Sequence, residues 1–268
     1  MIRERQGTPP DNSSATPKKP SRIRRGAYLL PSLLTICNIL LGFYAIIRGL
    51  RGDFANAALF VFVAGVIDGL DGRIARAIGT ESDFGKEYDS LADVLTFGAT
   101  PALLTYLWGL REFDHHDAWL IPLFFLVCCA TRLARFNVQH KIVDARWFVG
   151  LPTPAAAGAV CSILFFLPNP SEHRLAYQSL VAFALLATGL LMVSTFRYRS
   201  FKSFDLKRRW SYRSFVPIAA ILLVMIYLPR ATFLAIGFLY SASGPLSWLG
   251  GKLGLGRRNR DLEAPPAS

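Results

Sequence analysis

DGLDGRIARAIGTESDFGKEYDSLAD, residues 68–93, follows directly on the apolar run AALFVFVAGVI at 57–67. Four aspartates, Asp68, Asp71, Asp89 and Asp93, therefore border a stretch greasy enough to enter a bilayer. An ionisable side chain in or beside the hydrocarbon core is costly, so acids in such a place mark function. The rest of the chain decides whether there is a membrane for them to border.

The chain is 52% hydrophobic and 13% aromatic, a modest excess over the roughly 45–50% of soluble domains. Its distribution says more. Apolar residues fall in eight blocks: Tyr28–Ile47, Phe54–Ile67, Leu91–Leu110, Trp119–Ala130, Pro154–Leu167, Leu180–Val193, Phe215–Leu228 and Ala231–Leu249. A spanning helix needs about 20 mostly apolar residues, and several blocks reach that once small and aromatic flanks are included. The pattern predicts an all-α, polytopic membrane bundle of about eight helices, with six to eight the range.

Basic residues give an independent check, because cytoplasmic loops are enriched in Lys and Arg. With the N-terminal tail taken as cytoplasmic and the loops alternating, 25 Lys/Arg fall inside and five outside (Arg48, Arg51, Arg111, Arg174 and Arg230). Both termini are then cytoplasmic, and so is the aspartate segment. The chain divides into a basic disordered tail (1–26), a membrane domain (27–250) and a second basic tail (251–268). Membrane lipids are the expected partner of the +12 net charge, since juxtamembrane Lys/Arg gain about 1 kcal/mol each beside anionic headgroups. Nucleic acid is not required. Cys37, Cys128, Cys129 and Cys161 lie inside apolar blocks without metal spacing and read as packing residues.

Helical geometry turns the opening stretch into a surface. At 3.6 residues per turn, Asp68, Asp71, Gly72 and Ala75 share a face with Arg76 at its edge. Gly72 and Ala75 leave room for something to lie against the backbone. After a short loop, Gly85, Asp89 and Asp93 recur at intervals of four and form a second stripe. Asp71 and Asp93 lie at matching depth, about 12 Å from the loop at about 1.5 Å per residue. Two acid pairs should thus face each other across a cleft open to the cytoplasm. Glu81, Asp83 and Glu87 have no such stripe and read as solvated.

Four converging carboxylates are expensive at roughly 2.5–3.5 kcal/mol each, or about 10 kcal/mol together as an upper bound. Arg76 offsets one charge. Divalent cations fit better, because hard oxygen ligands select Mg²⁺, Mn²⁺ or Ca²⁺, and Mg²⁺ is commonly shared with substrate phosphates. Arg76 and the small-residue face suit a diphosphate. A cation transporter would more naturally scatter its acids over several broken helices.

At these residues the sequence resembles the CDP-alcohol phosphatidyltransferase family, whose motif is D-x2-D-G-x2-A-R-x8-G-x3-D-x3-D. Asp68, Asp71, Gly72, Ala75, Arg76, Gly85, Asp89 and Asp93 match it in type and spacing. Further stretches resemble one branch, the phosphatidylserine synthases: LPSLLTICNILLGFYAI (30–46), DFGKEYDSLADVLTFGATPALL (83–104), RLARFN (132–137) and GLPTPAAAG (150–158). Ser32 departs from that branch, which commonly has asparagine after the proline.

The resemblance implies a role for each motif residue. Asp68, Asp71 and Asp89 would be metal ligands, with Asp93 near the metals and acting as general base. Gly72, Ala75, Arg76, Ser82 and Gly85 would contact CDP-diacylglycerol. The cofactor would be Mg²⁺ or Mn²⁺, with two ions expected. The implied reaction is attack by the L-serine hydroxyl on the lipid-bearing phosphorus, with release of CMP. A sister enzyme using inositol phosphate, glycerol phosphate or choline is the alternative. The resemblance further implies a homodimer in the cytoplasmic membrane of a prokaryote, with its active site facing the cytoplasm. Arg132, Arg135 and Asn137 are expected just after the fourth helix, either holding the acceptor's carboxylate in a guanidinium fork or anchoring the loop to the headgroups.

Overall fold

The computed structural model describes residues 29–78, 83–112, 117–139, 147–167, 174–199, 219 and 223–252. The N-terminal tail expected over 1–26, nearly all of the C-terminal tail and half of the apolar block 215–228 lie outside these residues. Eight α-helices with defined bounds carry the fold among the described residues. They are α1 (Leu29–Leu50), α2 (Phe54–Ile78), α3 (Asp83–Asp93), α4 (Thr100–Trp108), α5 (Leu120–Gln139), α6 (Thr153–Phe166), α7 (Arg174–Val193) and α8 (Pro229–Lys252). A six-residue π-helix, Val94–Ala99, joins α3 to α4 without a break.

Five helical stretches are long and apolar enough to cross a bilayer: Ser32–Leu50, Phe54–Ile74, Phe84–Trp108, Leu120–Val138 and Leu175–Val193. The apolar helix Thr153–Phe166 is shorter. The protein is thus an all-α polytopic integral membrane protein. Large apolar side chains face outward along it, among them Leu40, Phe43, Phe183 and Leu190. In water that surface would be an aggregation hazard; against lipid it is solvated.

The first two helices form a hairpin whose turn is chemically specified. Gly52 takes a left-handed conformation (φ 78°), which glycine adopts without penalty. Asp53 then caps α2, accepting from the Asn56 amide nitrogens (Nδ2, 2.9 Å; backbone N, 3.3 Å), and pairs with Arg48 of α1. The Asn56 side-chain bond is the largest effect holding the half-buried Asp53 carboxyl below its ordinary range.

Inside the bundle the helices meet through small residues. Ala45, Ala57, Ala58, Ala64, Ala156 and Ala157 are fully buried, as expected where membrane helices approach closely. Threonine hydroxyls fasten α1 to the π-helix and α4. Thr96 Oγ1 donates to the Asn38 carbonyl at 3.1 Å, and Thr100 Oγ1 to the Gly42 carbonyl at 3.3 Å. Both bonds step four residues in the same direction, so the two elements run parallel.

Two short strands add a feature that apolar periodicity does not reveal. β1 (Trp147–Val149) pairs antiparallel with β2 (Arg197–Arg199), placing Phe148 opposite Tyr198. The fully buried Tyr198 donates its hydroxyl to the Ser241 carbonyl of α8 at 3.0 Å, and burial pushes that hydroxyl up to about 12. Gly244 supplies the notch, since a Cβ there would collide with the Tyr198 ring. The ribbon therefore ties the segments after α5 and α7 to the last helix.

The α1 contact yields a stability test. A Cβ on Gly42 would sit 2.7 Å from Thr96 Oγ1 and 3.0 Å from Thr96 Cα. Gly42→Val should destabilise the detergent-solubilised protein by about 1–3 kcal/mol, as overpacking does, and lower its thermal midpoint. Gly158→Ala is the control, because a Cβ there meets nothing within 4 Å; it should hold or raise the midpoint.

Candidate active site

Helix α2 runs eleven residues beyond the apolar block that ends at Ile67, carrying Asp68 and Asp71 outward on one face. Helix α3 returns from Asp83 with Asp89 and Asp93 on its facing stripe. One carboxylate oxygen from each of Asp68, Asp71 and Asp89 lies within 4.8 Å of the others. Asp71 and Asp93 are buried, at 4% and 8% exposure, and Asp68 and Asp89 are half-buried. Asp93 makes a hydrogen-bond contact with Asp68 and interacts electrostatically with Asp71 and Asp89.

This donor set suits a divalent cation. It is all oxygen, its members already converge, and buried Oδ1 atoms of Asp89 and Asp93 have no hydrogen-bond partner among the described residues. Hard, oxygen-seeking cations match such ligands. Gly72 and Gly85 are half-buried at the flanks. Ala75 and Arg76 lie on α2, but their side chains, like the whole of Ser82, lie outside the described residues.

A second side of the site comes from α5. Arg132, Arg135 and Asn137 do not follow this helix as expected; they occupy its final turns, because α5 continues to Gln139. Hydropathy falls over these turns, whereas the backbone helix carries on to Gln139. Arg132 is buried at 6% exposure, donates from Nη1 to Thr153 Oγ1 at 3.5 Å, and interacts electrostatically with Asp93. Its Nε is buried and has no partner among the described residues.

The other two residues have different employment. Arg135 donates to the carbonyls of Val193 (3.1 Å), Val149 (3.2 Å) and Ser194 (3.4 Å). A guanidinium on the last carbonyls of α7 satisfies groups that the helix end leaves open and complements its dipole. Asn137 Nδ2 donates to Ser90 Oγ at 3.0 Å and Glu87 Oε2 at 3.2 Å. It clips α5 to the outer face of α3, one residue from Asp89, and gives Glu87 a structural partner.

Sequence reasoning passed over the α1 wall. Thr35 and Asn38 are buried there at 6% and 0% exposure, and the Asn38 carbonyl meets Thr96, three residues past Asp93. Their signal was present: both are polar residues inside an apolar block.

Fold and site together define a polytopic membrane protein with a cation-competent carboxylate cleft built from one helical hairpin. The family described as CDP-alcohol phosphatidyltransferase matches residues 28–196. Three curated relatives share the name CDP-diacylglycerol–serine O-phosphatidyltransferase. The Helicobacter pylori (strain J99) protein is 35% identical over 224 residues, covering 83% of this chain and 92% of the relative. The Mycobacterium tuberculosis (strain H37Rv) protein is 35% identical over 180 residues, covering 65% and 62%. The Bacillus subtilis (strain 168) protein is 34% identical over 173 residues, covering 65% and 91%. The chain belongs to the CDP-alcohol phosphatidyltransferase family.

Metal titration tests the cleft directly. Replacing even an outer-shell partner typically weakens a metal site about 10–100-fold, so Asp71→Asn should weaken Mn²⁺ binding at least that much. Electron paramagnetic resonance of the substrate-free protein reads it. Glu87→Gln, outside the cluster, should bind Mn²⁺ like the parent; an unchanged Asp71→Asn response would rule out ligation by Asp71.

Proposed function

We propose that this protein is a CDP-diacylglycerol–serine O-phosphatidyltransferase, transferring the phosphatidyl group to L-serine and releasing CMP. The observation that carries the reading is the complete eight-position motif, with three of its carboxylates folded to within 4.8 Å of one another. The names of the relatives point the same way.

A serine hydroxyl is a weak nucleophile until a base takes its proton. We assign that task to Asp93, which is buried beside the cluster and interacts electrostatically with Arg132. As the serine Oγ–P bond forms, the P–O bond to the CMP phosphate breaks, and the hydroxyl proton passes to Asp93. Asp68, Asp71 and Asp89 would hold the divalent cations, which we take to be two Mg²⁺ or Mn²⁺ ions. When bound, they supply charge neutralisation at the diphosphate. Gly72, Ala75, Arg76, Ser82 and Gly85 form the diphosphate and nucleotide side by family resemblance.

For the acceptor, Arg132 is a buried guanidinium that interacts electrostatically with Asp93, and it suits the carboxylate of an amino acid. A phosphorylated alcohol would call for more basic residues around that point. The 25-to-five division of Lys and Arg supports a site facing the cytoplasm, with both termini on that side. We extend the reading, on family resemblance, to a homodimer in the cytoplasmic membrane of a prokaryote.

Purified protein given CDP-diacylglycerol and Mn²⁺ should release CMP with L-serine. It should not do so with inositol phosphate, glycerol phosphate or choline, and release with another alcohol alone would move the assignment to a sister enzyme. Asp93→Asn should keep CDP-diacylglycerol binding while turnover falls by about 10²–10⁴-fold, the usual contribution of a general base. Turnover near the parental rate would remove Asp93 from that role.

A further inference from the structure

Asn38 is fully buried, and neither polar atom of its side chain has a hydrogen-bond partner among the described residues. A buried amide left in that state is destabilising, so its presence needs a reason. Packing does not supply one. The fastening of α1 at this level runs through the Asn38 main-chain carbonyl, which accepts from Thr96 Oγ1, and through the Gly42 carbonyl below it. A leucine of similar volume would leave both bonds intact.

Register shows where the amide points. The two threonine bonds fix a constant offset of 58 residues between the parallel elements. That offset sets Thr35 level with Asp93, one turn toward the N-terminus of α1 from Asn38. Helical side chains slant toward the N-terminus of their own helix, so the Asn38 amide leans toward the level of Asp93. Asp93 Oδ1 and Arg132 Nε are likewise buried without partners among the described residues, and Arg132 and Asp93 interact electrostatically. A carboxylate, a guanidinium and a neutral amide thus gather at one depth with hydrogen-bonding capacity to spare. A small zwitterion bearing a hydroxyl has three complementary groups: the hydroxyl for Asp93, the carboxylate for Arg132 and the ammonium for an amide oxygen.

We propose that Asn38 is a specificity-determining residue of the acceptor pocket, its Oδ1 accepting from the ammonium of the amino-acid acceptor. This rests on the serine reading above. The test compares L-serine with 3-hydroxypropionate, which keeps the hydroxyl and carboxylate but lacks the ammonium. Asn38→Leu should raise the KM for serine about tenfold or more, the range for losing a hydrogen bond to a charged group. Its preference for serine over 3-hydroxypropionate should fall by the same factor, while the KM for CDP-diacylglycerol stays at the parental value. Asn38→Asp, nearly isosteric, places an anion beside the ammonium and should raise that preference severalfold. It decides the matter if the leucine variant does not fold. A parent enzyme active on serine whose preference is unchanged in the folded variants overturns the role of Asn38 alone. A parent that releases no CMP with serine overturns the acceptor assignment and this proposal with it.

Discussion

Three carboxylates with oxygens inside 4.8 Å repel one another strongly wherever water is scarce. At an effective dielectric of about 20, each like-charged pair at that separation costs about 3–4 kcal/mol. Asp93, in contact with Asp68, adds to the load. A sum of this size rivals the whole stability of a typical domain, about 5–15 kcal/mol, so the surroundings must hold the acids together until a cation does. The architecture reads as that scaffold. The Arg48–Asp53 turn closes the α1–α2 hairpin, threonines bolt α1 to the π-helix and α4, and Asn137 clips α5 to α3.

Much of this was legible in the sequence because two periodicities spoke together. The blocks of apolar residues marked the helices, and intervals of three and four sorted Asp68, Asp71, Asp89 and Asp93 from Glu87. Helix ends were less legible. Hydropathy reports where the chain meets lipid, so it placed Arg132, Arg135 and Asn137 after a helix that in fact carries them. The β1–β2 ribbon was not legible at all: strands of three residues are too short for any alternation to register, and their pairing spans 50 residues of chain.

Side-chain employment was the other hidden layer. Arg132 and Arg135 are one helical turn apart and read identically by charge. Their surroundings separate them: Arg135 meets the open carbonyls at the end of α7, whereas Arg132 meets Thr153 and the electrostatic field of Asp93. Asn38 announced itself as a polar residue in an apolar block, but its relation to Asp93 comes from a pairing of helices that spacing along one helix does not encode.

The π-helix at Val94–Ala99 carries a consequence for chain length. Its wide turn follows the acids at 89 and 93, carries Thr96 and leads into Thr100, the two threonines that grip α1. Winding the same six residues as ordinary α-helix would leave hydropathy unchanged. Everything downstream would then rotate by about 100° relative to the acids, because six α residues turn further than six in the wider i→i+5 winding. The gripping threonines would turn away from α1, and Phe97 and Gly98 with them. The phase between cleft and scaffold is thus kept by the width of that turn together with the number of residues it holds.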